Sequence, residues 1–223
     1  MGVVSFFAVG IDELREVFSG SDAVASRLRT LAASAYPPPP PAPPKGNLLS
    51  RLGPFSKRGT DAPVIRPGVP SGSDLDDLVH GHEVAPERLS AVWALVGLWL
   101  RDAAWGEFAL ELDEHAMDAF DFELSAAGVD PRFGLRRVLN DQLALPLKPL
   151  PGQVSGYVRG AHGRAMASAW AEALDRLPDD ARDIAAPVAA WLGRFGQWEG
   201  RAAVSGRPAP DLVVEYRLAQ PIS

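Results

Sequence analysis

No cysteine occurs among the 223 residues. That excludes disulfide frameworks, zinc knuckles, thiol nucleophiles and iron–sulfur ligation together. Basic residues are in deficit, 22 against 28 acidic, for a net charge of −6. General nucleic-acid binding is not expected, because attraction to a polyphosphate needs an excess of Lys and Arg. Long apolar runs are missing too. The longest is Ala91 to Leu100, ten residues counting Gly97, about half of a bilayer crossing. It reads as a core helix, and no membrane association is expected. Val3 to Val9 is apolar, but no Lys or Arg precedes it and Asp12 and Glu13 follow closely, unlike a secretory signal. The reading is a cytoplasmic protein.

What is present suffices for a real core: 47% of residues are hydrophobic. Proline is concentrated. Residues 37–73 hold eleven prolines and five glycines, and Pro37 to Pro44 contains seven prolines in eight residues. Consecutive prolines fix φ and remove backbone donors, so polyproline II is expected there. Lys45, Arg51, Lys57, Arg58 and Arg66 stand against Asp61 alone, a net charge of +4, which leaves −10 for the remainder of the chain. The stretch reads either as a spacer lying along its acidic body or as a basic arm for docking another protein. Pro40-Pro41-Ala42-Pro43-Pro44-Lys45 is formally P-x-x-P followed by a basic residue, the type of segment that docks on aromatic grooves. Leu48 to Leu52 adds a short amphipathic turn.

Residues 1–36 and 74–223 are expected to build one core domain around that insertion. Strands are predicted at Val3–Val9, Glu107–Leu112, Val154–Val158 and Asp211–Leu218, where β-branched or alternating residues occur in short runs. Helices are predicted over about Ala23–Ala35, Ser73–Leu78, Pro86–Ala104, Asp113–Ala127, Pro131–Leu143 and Arg164–Leu177. A last helix follows Ile184, Val188, Trp191, Leu192, Phe195 and Trp198 at helical spacing, with Pro187 in its first turn or kinking it. The fold class is α+β: a mainly helical single domain with a small sheet of about four short strands. Strands far apart in sequence, not alternating regularly with helices, argue against a doubly wound sheet.

Four places hold residues of chemically useful types. His80-Gly81-His82 is the one close histidine pair. On a strand such a pair can share a metal, but Gly81 reads as a helix terminator, so helix-end surface histidines are the plainer account. Glu114, Asp118 and Asp121 share one edge of the helix from Asp113. They suit a solvated face, with Asp121 partly buried against Arg136 or Arg137, or else carboxylates for acid–base or metal work. Arg159, His162 and Arg164 sit in a glycine-bearing turn from strand to helix, where an anion could rest on a helix N-terminus. Pairing with the acidic body explains them equally well. The spacing is neither a Walker loop nor a dinucleotide fingerprint. Gly152-Gln153-Val154-Ser155-Gly156 is offset from the nucleophile-elbow pattern. The tryptophans, Trp93 with Trp99 and Trp191 with Trp198, read as core.

The opening Gly2-Val3-Val4-Ser5-Phe6-Phe7-Ala8-Val9, then Ile11-Asp12-Glu13-Leu14, resembles the start of small bacterial YfbM-like proteins. The layout of the tail is similar as well, with a Gly156-Tyr157 turn, two helices and a final strand. The likeness covers about the first 20 and the last 70 residues. It implies an α+β single domain and carries over no active site. Together these readings favour a non-catalytic protein-binding module with no cofactor, its proline-rich arm docking a protein partner. The alternative is a small hydrolase or transferase that holds an anionic, phosphate-bearing substrate with Arg159, His162 and Arg164. Asp121 or His80 would then serve as acid–base group or metal ligand.

Overall fold

A computed structural model describes residues 2–37 and 68–218. The oligoproline run beyond Pro37, its basic residues and the Leu48–Leu52 turn lie outside the described residues. Four antiparallel strands, β1 (Gly2–Val9), β2 (Gly106–Glu111), β3 (Gln153–Val158) and β4 (Asp211–Leu218), form one sheet in the order β2-β1-β4-β3. The fold is α+β, as composition and pattern predict. The order itself could not be read from the sequence: the first strand pairs with the last, Gly2 opposite Leu218 and Val9 opposite Asp211.

Side chains alternate across a sheet, and here both faces are apolar over much of their length. Phe7, Val9 and Val213 share a cluster with α1 (Ile11–Arg15), α2 (Asp22–Ala35), α3 (Gly72–His80) and α4 (Leu89–Ala103). Val4, Phe6, Ala8, Leu212, Val214 and Tyr216 pack on the opposite side against α5 (Glu114–Ala126), α6 (Leu135–Asn140), α7 (Gly160–Ala173), α8 (Asp179–Leu192) and α9 (Phe195–Ser205). The sheet is therefore the middle of three layers. That is why the two central strands read as continuous apolar runs instead of clean alternation. The predicted stripe Met117, Phe120 and Leu124 of α5 is buried, and Trp99, Trp191 and Trp198 are core residues.

Local signals set several boundaries. Ser71 and Asp74 close a capping box on α3, and Gly81 ends that helix at φ 67°, where glycine is the usual choice. Elsewhere helices are shorter than periodicity suggests. The stretch predicted as one helix from Pro131 to Leu143 divides into a 3-10 turn, Pro131–Phe133, an extended Gly134, and α6. The last helix divides after Leu192 into α8 and α9. Pro187 lies well inside α8. Pro187 and Asp183 are both exposed, so the carbonyl that loses its helical donor faces water.

Candidate functional site

The histidine pair sits at the end of α3. His80 Nδ1 is 2.9 Å from the Asp76 carbonyl, His82 Nδ1 is 3.3 Å from Asp77 Oδ1, and the two rings lie 5.7 Å apart between centroids. Among the described residues no group of three His, Cys, Asp or Glu is placed to hold a metal ion.

The acidic edge of α5 is tied to the element after it. Asp121, half-buried, accepts from the backbone N–H groups of Leu135 (2.7 Å) and Arg136 (2.9 Å), and so caps α6. Its partner is backbone, not the guanidinium the sequence suggests. Arg136 instead donates to Asp118 at 2.7 Å and to the Glu114 carbonyl at 3.1 Å. Burial pushes the Asp121 carboxyl above the ordinary range, against the pull of those two N–H donors and of Arg136. Asp118 moves the other way, drawn down by the hydrogen bond from Arg136.

The three residues of the predicted anion turn do not converge. The helix already starts at Gly160, so His162 and Arg164 lie within α7 and not in a loop before it. Arg159 pairs with Asp211 at 3.1 Å, Arg164 pairs with Glu199, and His162 Nε2 lies 3.2 Å from the Arg132 carbonyl. Arg159 and His162 border one shallow depression beneath Asp141 and Tyr157, and Arg164 is not part of it. A carboxylate does rest on this helix N-terminus, but it is the protein's own. Asp211, 6% exposed, accepts from Gly160 N at 3.1 Å and from Ile11 N at 3.2 Å, thereby capping both α7 and α1. Asp211→Ala is expected to uncap both helices, a loss of roughly 2–3 kcal/mol. Urea denaturation measures it. A loss below about 0.5 kcal/mol would show the two caps to be idle.

A cleft of about 370 Å³ lies beside β3. Trp93 of α4 forms one wall and leucines of the 139–149 segment, Leu143, Leu145 and Leu147, form another; Gln153 and Ser155 lie along the β3 side. Local chemistry holds it open. The segment pairs with β3 only briefly, through Leu143 N to Ser155 O (3.2 Å) and Tyr157 N to Asp141 O (2.9 Å). Beyond Leu143 it leaves the sheet. From there Leu145-Pro146-Leu147-Lys148-Pro149-Leu150-Pro151 has three residues without an N–H and cannot extend a ladder. Trp93 Nε1 clips it by donating to the Lys148 carbonyl at 2.8 Å.

Behind the cleft lies a polar group that the sequence reading passed over. Glu215 is almost buried in the centre of the sheet, opposite both Ser5 and Ser155. Its Oε1 accepts from Gln153 Nε2 and from Arg217 Nη2, the latter at 2.8 Å. Gln153 in turn accepts from Leu150 N at 2.9 Å and so fixes the turn that closes the cleft wall. Arg217 lies over the Trp93 ring at 5.9 Å, with its Nε buried and unpartnered. A signal existed: a carboxylate inside Leu212-Val213-Val214-Glu215-Tyr216, two residues from an arginine on the same face, must have partners if the strand is central.

The described residues lining the cleft include no ionisable side chain; hydrophobic groups, amides and one hydroxyl make up its surface. It can offer apolar contact and neutral hydrogen bonds. The described residues supply it with no acid, base or counter-charge. No protein-family model matches the chain, and no curated protein or solved structure is significantly similar to it. Among the described residues no helix is long and apolar enough to cross a membrane.

Proposed function

We propose that this protein works without catalysis, by binding another polypeptide in the cleft beside β3. The observation that supports the reading is the lining: Trp93 and four leucines, with Gln153 and Ser155 as uncharged hydrogen-bonding groups. Peptide segments present that same mixture of apolar side chains and neutral amides. A phosphate-bearing substrate would need cations, and Arg159 and Arg164 are both turned to carboxylates of the protein itself. The proline-rich sequence 37–73 enters the proposal as a second docking element, on the strength of its +4 charge beside an acidic body. A cytoplasmic setting and kinship with the YfbM-like proteins belong to the same proposal.

Selection from a random-peptide display library on the full chain tests it. Apolar sequences are expected to enrich, and a selected peptide should bind at least tenfold more weakly to Leu145→Glu, which puts a charge in the cleft. Phe122→Glu alters a side chain 68% exposed on α5 and should leave binding unchanged. Failure of any sequence to enrich, or binding indifferent to Leu145→Glu, sinks the proposal. A melting-temperature rise with a nucleotide or sugar phosphate, abolished by Arg164→Ala, would put the enzyme reading in its place.

A further inference from the structure

We propose that His80 and His82 form a two-histidine site for a divalent transition-metal ion, with zinc as the probe. The inference is independent of the peptide cleft. On an uninterrupted helix, residues two apart point to nearly opposite sides. Here Gly81, at φ 67°, turns the chain through the left-handed region immediately after His80. The turn brings the second imidazole back beside the first, with ring planes only 21° apart. Two imidazoles sharing one tetrahedral zinc ion, at metal–nitrogen distances near 2.0–2.1 Å, have centroids roughly 5–6 Å apart. The observed 5.7 Å falls in that interval.

The hydrogen bonds settle which nitrogen is available. A carbonyl oxygen only accepts, so His80 Nδ1 donates to Asp76 O. The carboxylate of Asp77 likewise accepts from His82 Nδ1. Each neutral ring therefore carries its hydrogen on Nδ1 and its lone pair on Nε2. A carbonyl or carboxylate behind the second ring nitrogen is what orients metal-binding histidines and raises their basicity. The surroundings also favour a cation. The site lies at the carbonyl end of α3, where the helix dipole is negative, with Asp76 and Asp77 on the last turns. Arg29, 3.8 Å from Asp76, offsets part of that charge, and Asp77 faces His82. Both rings are exposed to solvent. No third side-chain ligand joins them among the described residues, so water fills the other positions and the ion exchanges readily.

The test is calorimetric titration of the full chain with zinc chloride at pH 7.5, paired with long-range nitrogen NMR of the imidazoles. One zinc per chain is expected, moving the Nε2 signals of His80 and His82 while those of His115 and His162 stay in place. His80→Ala and His82→Ala should each weaken binding at least tenfold. Asp77→Asn keeps both ligands but removes the carboxylate behind His82, and a tenfold loss is expected there as well. His80 and His82 are exposed and Asp77 is only partly buried, so unchanged thermal melting will show that the variants fold. Absence of saturable binding overturns the proposal, as does zinc that stays bound in His82→Ala or that moves the His115 or His162 signals instead.

Discussion

Gly156→Ala is expected to destabilise the protein by about 3 kcal/mol or more, the upper part of the range for overpacking a core. A Cβ at this position would lie 1.9 Å from the Val138 carbonyl oxygen and 2.9 Å from Leu139 Cα. Both are backbone atoms of α6, so no flexible side chain can swing away. The helix cannot retreat cheaply either. Leu135, Val138 and Leu139 are buried in the core, and Asp121 holds the start of the helix by two hydrogen bonds. Gly163→Ala makes a useful contrast. Its new methyl would meet Leu212 Cβ at 3.5 Å, an ordinary contact, in a helix where alanine is favoured by roughly 1 kcal/mol. Urea denaturation of the two variants should show opposite signs. Near-equal stabilities would refute the close approach of α6 to β3. Since Gln142 pairs with Gly156 and follows α6 directly, Gly156→Ala should also distort the cleft and weaken peptide binding.

The second large effect is expected at Asp74, which is 2% exposed. Its Oδ1 accepts from Arg88 Nε at 2.8 Å, and its Oδ2 accepts from Arg88 Nη2 and from the Ser71 N–H and hydroxyl, both at 2.6 Å. Arg88 also donates to the Val69 carbonyl at 3.0 Å. One carboxylate thus joins the start of α3 to the turn that opens α4. Removing the carboxylate deletes two hydrogen bonds from a guanidinium and two from Ser71 in a buried place, at a cost of about 3–5 kcal/mol. Asp74→Ala should accordingly lower the melting temperature by on the order of 10 °C. Burial alone would raise the Asp74 carboxyl, but hydrogen bonds from Arg88 and Ser71 and the charge of Arg88 outweigh it, holding the group below the ordinary value. The folded state therefore binds this proton less tightly than the unfolded chain. The stabilisation is complete above the unfolded aspartate value of about 3.9 and is lost as pH falls through the lower folded value. The stability gap between wild type and Asp74→Ala should stay constant from pH 7 to about 5 and then narrow in acid. A gap that widened in acid would reverse the assignment.

Elements with a strong local pattern could be read directly from the residues. All four strands lie within a residue or two of where β-branched and aromatic runs place them, and Gly81 and Asp113 mark a helix end and a helix start as expected. The breaks inside helices were harder, because the groups that make them are distant in sequence. Gly134 interrupts a helix whose next turn is capped by Asp121, and α7 begins early because Asp211, from the last strand, receives the N–H of Gly160. The cleft was hidden for a similar reason. Trp93 reads as a core tryptophan in an apolar helix, and only the placement of the 139–149 segment against β3 turns it into a wall. Glu215 was within reach. Its position inside an apolar strand demands a partner on any arrangement of the sheet, although nothing local identifies that partner as Gln153.

The pairing of the opening strand with the final one bears on how the chain is made. While a ribosome is still extending the polypeptide, β1 has β2 on one side and nothing on the other until residues 211–218 emerge. Phe6 and Phe7 project to opposite faces of that waiting strand, and each belongs to a different apolar cluster. The cluster on the Phe7 side draws almost entirely on residues up to Ala103, whereas the one on the Phe6 side needs Leu212, Val214 and Tyr216, so closure of that second layer waits for β4, with the slow search that distant strand pairing entails. Until β4 arrives the Phe6 side of the strand offers apolar surface, and chaperones that shield such surface should meet it there.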